Sequence, residues 1–127
     1  MLNKPDEEFV REGAQKVTEK DVEKVVDKSE EIKKKFSTRG PLARFIEDGQ
    51  LLIALVKDYR SRAYRQIPYG AIASIVFTLI YVLNPFDLMP DMLPLIGQVD
   101  DVAVLGACLL LVEQDLHKYK AWKQDQV

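Results

Sequence analysis

Residues 84–101 read Asn-Pro-Phe-Asp-Leu-Met-Pro-Asp-Met-Leu-Pro-Leu-Ile-Gly-Gln-Val-Asp-Asp and separate the two most apolar segments of the chain. Each of the three prolines lacks a backbone donor and has a fixed φ, so a regular helix cannot run through this stretch. The pattern therefore predicts a shaped turn between two helices, with aspartates that cap short helical turns. The residues expected to build the turn and its caps are Asn84, Pro85, Asp87, Pro90, Asp91, Pro94, Gly97, Asp100 and Asp101.

The flanks of this turn are uncharged. Residues 66–86 and 102–112 contain no acidic or basic side chain, and apolar residues elsewhere recur at helical spacing, without the period-two alternation of strands. We therefore predict an all-α fold of four or five helices, in which the last two form an apolar hairpin around the turn. Residues 19–36 and 42–65 are predicted to be amphipathic helices that are separated by a break at 37–41. A shorter helix is expected within 6–16.

The length of 127 residues predicts a single domain, 1–127. Its first part, 1–40, would consist of charged amphipathic helices, and 41–127 would be the helical core. Because Cys108 is the only cysteine, neither an intrachain disulfide nor a cysteine-based zinc site can form, and we expect its thiol to be buried. The N-terminus has acidic residues where a signal peptide has basic ones, which favours a cytosolic or cytosol-facing location.

The apolar hairpin has two interpretations. In the first it associates with a membrane, with both termini in the cytosol, because basic residues follow the positive-inside pattern at both of its ends. The run 102–112 would be only about 16 Å long as a helix, half of a hydrocarbon core, so a hairpin that enters one leaflet or lies on the membrane fits better than two spans. The flanking basic residues are Arg60, Arg62, Arg65, Lys118, Lys120 and Lys123.

In the second interpretation the protein is soluble and cytoplasmic, and the two apolar runs are the central helices of a bundle. Both environments accept a helix that is apolar on every side, so the sequence leaves the choice open. If the hairpin is an association surface, its partner is a membrane surface, another apolar helix, or a second copy of the chain in a homo-oligomer. The large apolar residues expected to carry the association are Ile72, Ile75, Phe77 and Leu79.

Residues 81–105 closely resemble the signature of the YkvA-like family, a group of small proteins of unknown function. The shared pattern is a tyrosine, a Pro-x-Asp-x-x-Pro-Asp core, an apolar-Pro-apolar-apolar-Gly step and a closing Asp-Asp. The resemblance implies a domain of unknown function, and it implies membrane association because many members are described as membrane proteins. It implies no catalytic residue. The matching positions are Tyr81, Pro85, Asp87, Pro90, Asp91, Pro94, Gly97, Asp100 and Asp101.

The turn also has a second functional interpretation. A soluble helical bundle could hold Mg²⁺ or Ca²⁺ there, because these ions prefer carboxylate oxygens. The stretch lacks the ligand order, central glycine and closing glutamate of an EF-hand loop, and capping is the commoner use of such aspartates. We therefore expect no cofactor, with Mg²⁺ or Ca²⁺ as the alternative. The candidate metal ligands are Asp87, Asp91, Asp100 and Asp101.

The sequence gives little support for catalysis or for nucleic-acid binding. The single histidine, His117, lies in a lysine-rich stretch without a nearby serine or cysteine, and Asp100-Asp101 lacks the third aspartate of a prenyl-diphosphate site. The arginines at 60–65 belong to no nucleic-acid-binding motif, so they favour a solvated or lipid-facing helix end. We therefore expect a protein that is not an enzyme and does not bind nucleic acid, and the sequence identifies no small-molecule substrate.

Overall fold

The computed structural model describes residues 4–38, 40–84 and 101–125. These ranges contain seven α-helices, one 3₁₀ helix and no strand. The α-helices are α1 (Lys4–Ala14), α2 (Glu19–Asp27), α3 (Ser29–Thr38), α4 (Ile46–Arg60), α5 (Tyr69–Leu83), α6 (Asp101–Leu111) and α7 (Glu113–Asp125), and the 3₁₀ helix spans Gly40–Phe45. The all-α prediction is confirmed, but the predicted number of four or five helices was too small.

Local interruptions account for most of the difference in helix number. The helix predicted at 19–36 is divided into α2 and α3 at Lys28, and the apolar run 102–112 is divided from the basic tail at Val112. Helical hydrogen bonds persist there, because the Lys28 N–H donates to the carbonyl oxygen of Lys24 (2.9 Å) and the Val112 N–H to that of Cys108 (3.0 Å). Hydrophobic periodicity continues through such interruptions, so it cannot reveal them.

Helix α5 lies at the centre of the fold. All residues from 72 to 83 are buried, and α1, α2, α3, α4 and α6 each pack against this helix. A helix without charged residues on any side needs such cover in water, and five neighbouring helices provide it. This packing is the arrangement expected for the central helix of a bundle.

Helix α1 completes the cover of α5 through an aromatic cluster. The Phe9 ring meets the Phe77 ring edge-on at a centroid distance of 5.3 Å and the Tyr81 ring at 5.6 Å. One turn later Gly13 lies against the Phe77 ring, where a Cβ atom would overlap the ring carbons. The absence of a side chain at this position therefore lets α1 approach α5 closely.

The C-terminal helix α7 is attached to the end of α4. The Tyr119 hydroxyl donates to Oδ2 of Asp58 (2.5 Å), and Nζ of Lys123 contacts the same oxygen at 3.0 Å. The Tyr64 ring packs against the rings of Tyr119 and Trp122, with centroid distances of 5.1 and 4.9 Å. Burial, followed by the hydrogen bond to Asp58, raises the pKa of Tyr119. The basic tail is thus part of the folded unit.

Candidate functional site

Most of the signature lies outside the described residues. Positions 85–100 fall there, and with them the predicted roles of Pro85, Asp87, Asp91 and Asp100. At its edges, the Asn84 N–H donates to the carbonyl oxygen of Ile80 (2.8 Å) at the end of α5, and α6 begins at Asp101. In the ranges that the structure describes, no group of three or more His, Cys, Asp or Glu residues is placed to hold a metal ion. The capping and metal-site predictions for the turn remain predictions.

The four residues predicted to form an association surface lie in the core. Ile72, Ile75 and Leu79 have no exposed surface, and Phe77 is 1% exposed. The other helices cover these side chains, so a lipid or partner could reach them only if the fold opened. Helix α5 is about 22 Å long, and no helix in the described part of the chain is both long and apolar enough to cross a membrane.

An apolar surface is found instead on α6. Its inner face, which includes Val104, Leu105 and Cys108, is fully buried, whereas Leu110 is 54% exposed. Further apolar residues at spacings of three and four positions are partly exposed on the same outer side of the helix. We call this surface the α6 outer face. It comprises Val102, Ala103, Gly106, Leu109 and Leu110.

The interior between α5 and α6 contains a chemically inert thiol. The Cys108 side chain is fully buried, as predicted, and its thiol donates to the carbonyl oxygen of Ser74 with an Sγ–O distance of 3.6 Å. Burial raises the pKa of Cys108 to about 12. Since the thiolate is the reactive form of cysteine, this residue is a packing element and not a nucleophile.

A polar pocket lies between the start of α2 and the end of α4. We call it the arginine pocket; its volume is about 230 Å³. Nη2 of Arg60 forms an ion pair with Oε1 of Glu23 at 2.7 Å, and the Arg65 guanidinium lies 4.1 Å from the centroid of the Tyr59 ring. Arg62 has a φ of 70°, in the left-handed region. The lining residues are Glu19, Val22, Tyr59, Arg60, Arg62 and Arg65.

A second cavity, of about 440 Å³, lies between α1 and the start of α5. Tyr69 at its edge is 45% exposed, and its hydroxyl donates to the carbonyl oxygen of Val17 at 3.0 Å. Partial burial, followed by the negative charge of Glu19, raises the pKa of Tyr69. The lining residues of the cavity are Arg11, Ala14, Gln15, Tyr69, Gly70, Ala73 and Ser74.

The α5–α6 region, which contains the buried central helix and the outer face, is also the part that comparison with known proteins identifies. Residues 71–107 match the family described as "Protein of unknown function (DUF1232)". This match confirms the YkvA-like resemblance that the signature predicted. Over residues 71–107 the chain is therefore similar to this family of unknown function.

One relative is "Uncharacterized membrane protein YkvA" of Bacillus subtilis (strain 168), which is 28% identical over 69 residues. The alignment covers 54% of this chain and 65% of the relative, so the chain spans less than two thirds of the relative's length. No solved structure matches the chain.

Sequence reasoning missed two features of this structure. It placed Arg60, Arg62 and Arg65 at a solvated or lipid-facing helix end, and all three are exposed, but the pocket that α2 and α4 form together has no local signal in the sequence. It also assigned the association surface to the first apolar run. The partly exposed apolar face lies instead within 102–112, where Ala103 and Gly106 stand between larger apolar residues.

Proposed function

We propose that this protein is a non-catalytic, peripheral membrane-associated protein that contacts lipid through the α6 outer face. The observation that carries the proposal is the 54% exposure of Leu110 within a helix that has no charge from 102 to 111. The Bacillus subtilis relative is named as a membrane protein, which also supports an association with lipid. In this proposal the hairpin contributes its second helix, while α5 stays in the core.

The length of α6 supports an interfacial position. Eleven residues make a helix about 16 Å long, which can lie in the membrane plane but cannot cross the hydrocarbon. Removing a leucine side chain from water contributes about 1.5–3 kcal/mol when its burial is complete, so one leucine with partly exposed neighbours gives weak, reversible binding. Exposed Lys118 and Lys120 on the following helix would add attraction to anionic lipid.

The orientation with both termini in the cytosol belongs to this proposal. A helix in the interface of the cytosolic leaflet leaves α1 and α7 on the same side of the membrane. The negative surface potential of that leaflet also suits the basic residues around the hairpin. The competing occupant of the α6 outer face is an apolar helix, including α6 of a second copy of the chain.

Liposome flotation of the full chain tests the proposal. Wild-type protein should float with vesicles that contain anionic lipid, and Leu110→Glu should return it to the soluble fraction, because a charge at the centre of the face opposes entry into apolar surroundings. Gln50→Glu is the matched control, since it adds the same charge at an exposed position on α4. If the wild type stays in the soluble fraction, the membrane proposal is refuted. If it instead forms a dimer that Leu110→Glu dissociates, the partner is a second copy.

Hydrogen exchange would locate the lipid contact. If α6 binds with the fold intact, amides of α5 around Ile72 and Leu79 should remain as protected with vesicles as without them. If the hairpin opens and inserts, as the assignment to Ile72, Ile75, Phe77 and Leu79 requires, the helices that cover α5 should lose protection when vesicles are added. This measurement separates the two modes without substituting core residues.

A further inference from the structure

We propose that the arginine pocket binds a phosphate group, supplied either by a soluble phosphate compound or by the headgroup of an anionic phospholipid. The inference is independent of the lipid contact proposed for α6, because it rests on different residues. Its evidence is the charge, the geometry and the backbone conformation of the segment that follows α4.

The positive charge in the pocket is only partly neutralised. Arg60 is paired with Glu23, but the guanidinium groups of Arg62 and Arg65 form neither a hydrogen bond nor an ion pair with any residue in the part of the chain that the structure describes. Arginine presents planar, fork-shaped donors that match two phosphate oxygens at once. Two unpaired guanidinium groups around one cavity are therefore suited to a phosphate.

The Arg65 guanidinium is already held in place. It lies over the Tyr59 ring, 4.1 Å from the ring centroid, which is within the range of a cation–π contact. A side chain ordered before binding loses less rotational freedom when a ligand arrives.

The backbone of Arg62 is an independent observation. This residue follows the end of α4 with a φ of 70°, at a position where glycine is usual because a Cβ is unfavourable there. The Arg62 N–H donates to the carbonyl oxygen of Tyr59 and the Tyr64 N–H to that of Asp58, both at 3.1 Å, so the conformation is fixed. Glycine would fit this conformation better than arginine, and an unfavourable backbone conformation of this kind points to a use for the side chain.

Glu19 opposes an anion in the same pocket. Its carboxylate is among the lining groups and would repel a phosphate. This gives the proposal a directional consequence: replacing Glu19 with glutamine should strengthen phosphate binding. By Coulomb's law, removing the repulsion between two unit charges at contact distance in water should raise the affinity for phosphate roughly fivefold.

The test uses the full chain and two probes at constant ionic strength. Isothermal titration with inorganic phosphate measures the binding of a soluble ligand. Sedimentation with phosphatidylcholine vesicles, with and without phosphatidic acid, measures binding to a lipid headgroup. We expect saturable binding in at least one arm, weakened about tenfold or more by Arg62→Gly and by Arg65→Gln, since each removes a charge-assisted hydrogen bond donor.

Matched variants separate a specific site from general charge and from misfolding. Arg44→Gln should bind like the wild type, because Arg44 also stacks on an aromatic ring, Phe45, but lies at the opposite end of α4. Arg62→Gly should melt no lower than the wild type, because glycine suits a positive φ, so its loss of binding could not be attributed to unfolding.

The two arms identify the source of the phosphate. Binding of inorganic phosphate indicates a soluble ligand, and binding only to vesicles with phosphatidic acid indicates a lipid headgroup; either supports the site if Arg62→Gly and Arg65→Gln weaken it. Absence of binding in both arms, or an equal loss in Arg44→Gln, overturns it. Leu110→Glu should leave the titration with inorganic phosphate unchanged, so a failure of the α6 proposal can be distinguished from a failure of this one.

Discussion

The close approach of α1 to α5 gives a sharp prediction at Gly13. Alanine is normally the better helix former by about 1 kcal/mol, so propensity alone predicts that Gly13→Ala stabilises the protein. In this structure a Cβ at position 13 would lie within 3.0 Å of three carbons of the Phe77 ring. The ring cannot move aside easily, because Phe77 is 1% exposed and also contacts the Phe9 ring.

The magnitude follows from these opposing effects. Overpacking of a filled core costs about 1–3 kcal/mol, and the largest values apply where a ring rather than a flexible side-chain end must shift. We expect Gly13→Ala to lower the free energy of unfolding by about 1–2 kcal/mol, because the cost of the overlap with Phe77 exceeds the gain in helix propensity. Gly70→Ala is the control, because Gly70 is also helical but has no atom within 4 Å of its would-be Cβ; it should gain about 0.5 kcal/mol.

Thermal and urea denaturation would measure the difference. An unfolding entropy of about 2.1 cal/mol/K per residue over 127 residues converts 1 kcal/mol to about 4 °C. The two variants should therefore differ in melting temperature by about 6–10 °C. Adding Phe77→Leu should recover part of the Gly13→Ala loss, as a double-mutant cycle. A Gly13→Ala variant as stable as Gly70→Ala would show that α1 does not dock against Phe77.

Three further predictions concern the interior and the turn. Because the pKa of Cys108 is raised to about 12 in the folded protein, its thiol stays neutral there, whereas the unfolded thiol ionises near pH 9. The contribution of Cys108 to the free energy of unfolding should therefore be complete below pH 9 and fall by about 1.4 kcal/mol per pH unit between pH 9 and about 12. Denaturation of Cys108→Ala should lack this decline between pH 9 and 10. Asp100 or Asp101 is predicted to cap α6, so replacing the capping residue with alanine should cost about 0.5–2 kcal/mol, and unchanged denaturation midpoints in both variants would exclude the cap. Calorimetry with Mg²⁺ and Ca²⁺ should show no micromolar binding if backbone donors offset the aspartate charges, whereas heat that is lost in Asp87→Asn and Asp100→Asn would identify a metal site.

Local signals predicted the parts of the fold that depend on neighbouring residues. The break expected at 37–41 is present, because α3 ends at Thr38 and the 3₁₀ helix begins at Gly40. The start of α2 also rests on a local contact, because the Thr18 N–H donates to Oδ2 of Asp21 at 2.9 Å. Such features involve residues three or four positions apart, so the sequence contains all that is needed to recognise them.

Features that join distant segments were not predictable in the same way. The apolar run of α5 suits lipid and protein equally, and its position in the core depends on five helices that pack around it from other parts of the chain. Gly13 has meaning only beside Phe77, 64 positions away in the numbering, and the arginine pocket exists only where α2 meets the end of α4.

The amino-acid sequence by itself determined the helical class, the position of the main break and the family resemblance. These depend on hydrophobic spacing, on proline and glycine, and on a run of residues at fixed offsets. Tertiary structure alone decided which apolar faces are buried, so it placed Ile72 and Leu79 in the core and left Leu110 exposed. The physical reason is that hydrophobic burial has no direction: the sequence specifies that a face must leave water, but packing selects the surface that covers it.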